Sequence, residues 1–252
     1  MKAIVVTLSL LAAAFLIAAP ASGAAPAAEP AAPAAPALFL SGVDQVMISA
    51  DEFSDWMAHH KTRLELRDTN HAVTEMCDRL QDAERRMSLI AGDPGIKPED
   101  ARRADIRRFD DQIVVVGKEL TTMHSAVRRL AEAPPAAAGD SVPALERVAW
   151  RARQADFVAE LDRADKHSAE AHAWVIDKQA PRGLDEMSRD IDLSRQELRG
   201  MIGALGRLGE DPAATRDRIR DLTQVLDCAR TLLTALNDAQ DRVAGLATAM
   251  SS

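Results

Sequence analysis

The chain has 252 residues, with 39 Asp and Glu against 31 Lys and Arg and a formal net charge of −8. That balance excludes a general nucleic-acid binder, which needs a positive field over phosphates, and it disfavours attachment to an anionic bilayer. With no Tyr, five Phe, few β-branched runs and many Ala, Leu, Arg, Asp and Glu, the composition argues against sheets and for an all-α protein.

The first element is a leader. Lys2 precedes the apolar run Ala3–Leu16, and small residues follow at Ala21, Ser22, Gly23 and Ala24. This is the pattern of a secretory signal peptide over residues 1–24, which places the mature protein in the periplasm or outside the cell. No second apolar run of about 20 residues occurs, so no transmembrane anchor is expected once the leader is removed. Residues 25–38 are rich in Ala and Pro and read as a flexible, extended tether with nothing large to bury. Residues 39–250 are expected to form one helical-bundle domain.

Five helical segments follow. The first runs from Asp44 to Ile90, with apolar positions at Val46, Ala50, Phe53, Met57, Leu64, Val73, Met76, Leu80, Met87 and Ile90. The polar run Arg67–Asn70 breaks the period, so a bend is expected there. Gly92-Asp93-Pro94-Gly95 ends the segment as a turn. The second helix starts at Pro98 and carries Ile106, Phe109, Ile113, Val116, Leu120, Met123, Val127 and Leu130, a heptad seam. It stops before Pro134-Pro135. Ser141 is placed to cap the third helix, whose stripe reads Leu145, Val148, Ala152, Leu161, Ala164, Ala171 and Val175. Gln179–Gly183 ends it. The fourth helix carries Leu184, Met187, Ile191, Ser194, Leu198, Met201, Leu205 and Leu208, with Gly209 as its stop. Asp211-Pro212 is expected to open the fifth, which carries Ile219, Leu222, Leu226, Ala229, Leu233, Leu236, Val243 and Leu246.

Long helices joined by short connections force antiparallel neighbours. The expected architecture is an elongated up-and-down bundle of about five long helices with coiled-coil-like packing. Cys77 and Cys228 are the only cysteines, and an even count in an exported protein suggests one disulfide, with two buried thiols as the alternative. Paired, they would close a loop of about 150 residues, worth on the order of 5 kcal/mol in the chain-entropy picture.

Sites for chemistry are scarce. The histidines are scattered; Asp68 with His71, and Met57 with His60, share helix faces without forming a ligand set. No Glu-x-x-His, Cys-x-x-Cys-His, Gly-x-Ser-x-Gly or phosphate-cradling loop occurs, so no catalytic, cofactor or metal site is expected. Trp56, Trp150 and Trp174 lie on or beside apolar stripes and are candidate partner surfaces if exposed. The reading is therefore an exported, non-catalytic protein that works by protein–protein interaction, scaffolding or spacing, with another protein or a second copy as partner. The alternative is a periplasmic binding protein or chaperone holding an apolar ligand or unfolded chain between helices.

Overall fold

In the computed structural model, residues 35–97, 100–133, 142–179 and 182–251 are described. The expected signal peptide and most of the expected tether, residues 1–34, lie outside them, as do Pro98 and Ser141. Six helices pack into one bundle among the described residues: α1 (Ala35–His59), α2 (Leu64–Ala91), α3 (Ala101–Glu132), α4 (Ala144–Asp177), α5 (Arg182–Gly209) and α6 (Arg216–Met250). Residues 35–38, expected as tether, are the first turn of α1.

The count is six because the long first segment is two helices. The break falls at residues 60–63, before the polar run that was expected to cause it. His59, His60, Lys61, Thr62 and Arg63 offer no apolar side chain to continue a buried stripe, and Lys61 turns the chain with φ 50°. Thr62 N–H then donates to Met57 O at 3.1 Å, closing the helix end. Arg67–Asn70 stays helical because Thr69 and Asn70 turn inward and find hydrogen bonds there.

Three helix starts also differ from expectation. α3 begins at Ala101, where the Asp100 carboxylate accepts from Arg102 N. α4 begins after Pro143. α6 begins at Arg216, capped by Thr215, whose side chain accepts from Arg218 N. Asp211 instead holds the preceding turn, accepting from Ala213 N at 2.9 Å.

The apolar stripes of α3, α5 and α6 are buried as their spacing predicts. In α4 the stripe holds at Leu161, Ala164 and Val175, but its first half is out of phase: Leu145, Val148 and Ala152 are exposed, and Trp150 and Phe157 face inward in their place. Leu64, expected in the core, is 65% exposed at the α1–α2 turn.

Packing partners define the topology. α2, α3, α6 and α5 form a ring in which α2 touches α3 and α5, and α6 touches the same two. α1 lies against α2 and α3; α4 lies against α5 and α6. Ion pairs give the directions. Arg79 reaches Glu197 and Arg86 reaches Glu186, so α2 and α5 are antiparallel. Arg129 with Asp221 and Arg242 with Asp105 make α3 and α6 antiparallel. Arg216 with Glu146 and His167 with Asp241 make α4 and α6 parallel.

The bundle is thus two three-helix halves, α1–α3 and α4–α6, facing one another about a pseudo-two-fold axis. Arg79 and Glu197, 118 residues apart, bond to each other and stand at equivalent positions. The same shift pairs Val43 with Leu161, Val46 with Ala164, Met57 with Val175, Leu66 with Leu184, Val73 with Ile191, Leu80 with Leu198 and Met87 with Leu205, all buried. α3 and α6 match at a shift two residues shorter, from Ile106 and Leu222 through Leu120 and Leu236 to Leu130 and Leu246. The backbone agrees, since the only described non-glycine residues with positive φ are Lys61 and Gln179, one in each half's first turn. This internal repeat was not read from the sequence.

Candidate functional site

The first helix of each half carries a tryptophan in its last turn, and the repeat makes Trp56 and Trp174 equivalents. Both side chains sit one turn before the left-handed residue that ends the helix. His60 stacks on Trp56 at 4.1 Å between ring centroids; Lys178 lies over the Trp174 ring at 4.2 Å. Because α4 runs opposite to α1, the two indoles sit at opposite ends of the bundle. Their surroundings differ. Trp56 is sandwiched, with Phe53 stacked on it at 5.3 Å and His60 beyond, and is only partly accessible. Trp174 is 45% exposed, with its Nε1–H donating to Thr248 Oγ1 at 2.9 Å and Lys178 on one side of the ring. An indole satisfied at nitrogen and open on its carbon edge combines apolar area with a cation–π partner, the character of an interface anchor.

Behind each indole a buried polar tie joins the three helices of its half. In the first half, Asn70 Nδ2 donates to Ala50 O at 2.9 Å and Ser54 Oγ at 2.8 Å. Its Oδ1 therefore faces His124 Nδ1, 3.2 Å away, which donates. His124 Nε2 then accepts from the Ser49 hydroxyl at 3.1 Å. Burial, helped by the Arg128 charge, pulls the His124 pKa down, so the ring is held neutral in this tautomer. In the second half, Ser188 receives Gln240 Nε2 at 2.7 Å and shares a hydrogen bond with His172 Nδ1 at 2.8 Å. Ser188 has no exposed surface and His172 is half-buried, and their contact ties α4, α5 and α6 together.

Two departures from the repeat change the ionisable groups inside. Arg195, fully buried in α5, stands where α2 has Cys77. Its guanidinium reaches Ser168, Asp192 at 3.1 Å, Asn237 Oδ1 at 3.2 Å and Leu236 O at 3.3 Å, linking α4, α5 and α6. In the first half, Glu84 and Asp110 replace Ile202 and Leu226 of the second. Glu84 is 4% exposed and its Oε2 has no hydrogen-bond partner. Burial, then the Asp110 charge, raises the Glu84 pKa; burial, then Asp111, raises Asp110 to about 6.

The expected disulfide is not present: Cys77 and Cys228 are buried free thiols. Cys77 lies in α2 and Cys228 in α6, the diagonal pair of the four-helix ring, with no Cα–Cα approach within 8 Å between those helices. A disulfide needs Cα atoms about 4.4–6.8 Å apart. Burial also raises both thiols to about 12, with Asp78 adding at Cys77 and Glu119 at Cys228, which suppresses the thiolate that exchange chemistry requires. Trp150 is no surface residue; it is 2% exposed and packs against Gly209.

Among the described residues, no group of three or more His, Cys, Asp or Glu is placed to hold a metal ion. Met57, Asp68 and His71 do come together with Ser54, Leu64 and Arg67, around an open hollow of about 290 Å³ at the α1–α2 turn. His60 turns away from it to stack on Trp56. On the pseudo-two-fold axis, Met76, Val116, Ser194 and Leu232 line a void of about 20 Å³, room for one water and far below a ligand pocket. No described helix is long and apolar enough to cross a membrane. No protein-family model, curated protein or solved structure matches the chain.

Proposed function

We propose that this chain is an exported, non-catalytic interaction protein: a spacer of packed helices that presents a tryptophan-centred docking patch at the end of the bundle where α4 finishes, with a second, more sheltered indole at the other end. The observation that carries this reading is Trp174. The repeat keeps an indole at both turns while most other side chains have changed, and the one at Trp174 stays 45% exposed beside exposed Ile176. Packing alone gives no reason to leave that much aromatic surface in water. The expected setting is the periplasm or cell exterior, where the Ala/Pro-rich lead spaces the bundle from its surroundings. Coiled-coil-like seams between antiparallel neighbours give the spacer its stiffness.

Site-directed photocrosslinking in the exporting cell tests the reading. A photoreactive residue in place of Ile176, 56% exposed, should trap a discrete protein adduct, and Trp174→Ser in the same chain should abolish it. The same probe in place of exposed Arg107 on α3 should trap nothing comparable. No adduct at residue 176, or identical adducts at both positions, overturns the docking patch. N-terminal sequencing of the exported chain should find it starting near residue 25; an intact precursor in the cytosol overturns export.

A further inference from the structure

α4 has two apolar faces in its first half, and the fold uses one. Trp150, Phe157 and Leu161 point into the bundle. On the far side, Leu145 is 83% exposed and Val148 59%, followed by exposed Ala152, Ala155 and Ala159. These five positions keep three-four spacing through two heptads, which is the seam of a coiled coil with its partner missing. The heptad seam read from the sequence, on α3, is by contrast filled by neighbours within the chain.

We propose that this face seats the same face of a second copy, in parallel and in register, making a homodimer about a two-fold axis that runs along α4. Charge selects the occupant and its direction. Arg151 and Asp156 flank the seam five residues apart on opposite sides. In a parallel pair those two flanking positions meet across the interface, so Arg151 of one copy faces Asp156 of the other, twice by symmetry. Asp156 has no ion-pair partner among the described residues. Arg151 is held only by Glu210 at 3.5 Å, with both side chains more than half exposed, a contact of little strength. An antiparallel pair through the same seam sets Arg151 against Val158 and Asp156 against Ala149, or Arg151 against Arg151, depending on register, and loses the opposite-charge match. The alanines let the two backbones approach closely. Two heptads bury less than a standard interface, so the dimer is concentration-dependent rather than obligate. This proposal stands apart from the docking patch, since Trp174 lies at the other end of α4.

Sedimentation equilibrium of the full mature chain, from about 1 to about 300 µM, should show monomer and dimer in exchange. Leu145→Glu with Val148→Glu should weaken the dimer at least about tenfold with unchanged helical circular dichroism, because both side chains are exposed in the monomer. Asp156→Arg should weaken it, and Arg151→Asp added to that variant should restore it. Leu145→Cys under mild oxidation should give a covalent dimer, since only a parallel in-register pair brings residue 145 of both copies together; Cys77 and Cys228 are buried and do not compete. A monomer throughout the range overturns the proposal, as does a dimer indifferent to Leu145→Glu and Val148→Glu. Cross-linking through Ala152→Cys but not Leu145→Cys overturns the parallel arrangement.

Discussion

Cys77 in α2 and Arg195 in α5 hold the same place in their halves, and so do Glu84 and Ile202, Asp110 and Leu226, His124 and Gln240. The burial pattern is shared and the chemistry is not. In the second half a permanent cation is buried and fully engaged, bonded to groups on three helices, and the acid pair is replaced by two apolar residues. In the first half the corresponding interior holds a thiol, a neutral histidine and two carboxyl groups whose charges are costly. A helix-packing pattern therefore specifies which positions are inside without specifying what is put there, provided each buried polar group finds a partner or sheds its charge. The interior of the first half therefore carries groups, Glu84, Asp110 and His124, whose titration couples stability to pH.

The sharpest way to break this contrast is at Arg195. Arg195→Ala should cost about 3–5 kcal/mol in chemical denaturation, because Asp192 is left without its cation and Ser168, Asn237 and Leu236 O lose their donor. Arg195→Met should cost clearly less, since it fills the space without a charge. Equal losses in the two variants would show that packing, rather than the bonded cation, holds the second half.

Close helix approach comes next. In α5 a methyl group at Gly209 would collide with Trp150, and one at Gly206 with Gln154, whereas nothing lies within 4 Å at Gly203. Gly209→Ala should destabilise by about 1–3 kcal/mol through overpacking. Gly203→Ala should stabilise by about 0.5–1 kcal/mol through helix propensity. Melting temperatures of the two variants should move in opposite directions.

The carboxyl pair predicts a pH effect with a definite sign. Asp110 has a folded pKa of about 6, above its unfolded value, so the folded state takes up a proton first as pH falls. Stability from this group should rise as pH drops through 6 toward 4. Asp110→Asn should stabilise the protein by about 1 kcal/mol at pH 7.5, the shift being discounted for partial exposure, and the gain should vanish near pH 4. His124 works the other way. Its folded pKa is lowered, so its contribution is whole above about 6.5 and is lost as pH falls below that value. His124→Gln, which imports the residue of the second half, should flatten that loss by a smaller amount. Denaturation midpoints of both variants from pH 4 to 8 separate the two effects; curves parallel to the parent would sink the assignment.

Much of the architecture was legible along the chain. The three-four spacing of α3, α5 and α6 identified their buried faces residue by residue, because an amphipathic helix carries its own burial pattern. The α1–α2 break was misplaced because polar residues such as Thr69 and Asn70 read as surface when they are in fact buried and bonded to neighbouring helices. The first half of the α4 stripe was misread because the helix carries two apolar faces there, and a single periodicity cannot say which one the bundle takes. Of the candidate site residues, Trp174 emerged at the surface, Trp56 half sheltered and Trp150 inside; position beside a stripe does not decide between these.

By itself the sequence determined the helical class, most core faces and the absence of recognisable catalytic motifs, since composition and spacing act locally along each helix. Which helices are neighbours was decided only by the tertiary structure. That choice kept Cys77 from Cys228, placed the two indoles at opposite ends, and paired halves whose kinship lies in position rather than residue identity. The physical reason is that a seam states how much must be hidden from water, while the partner that hides it is selected by the shape and charge of every other seam at once.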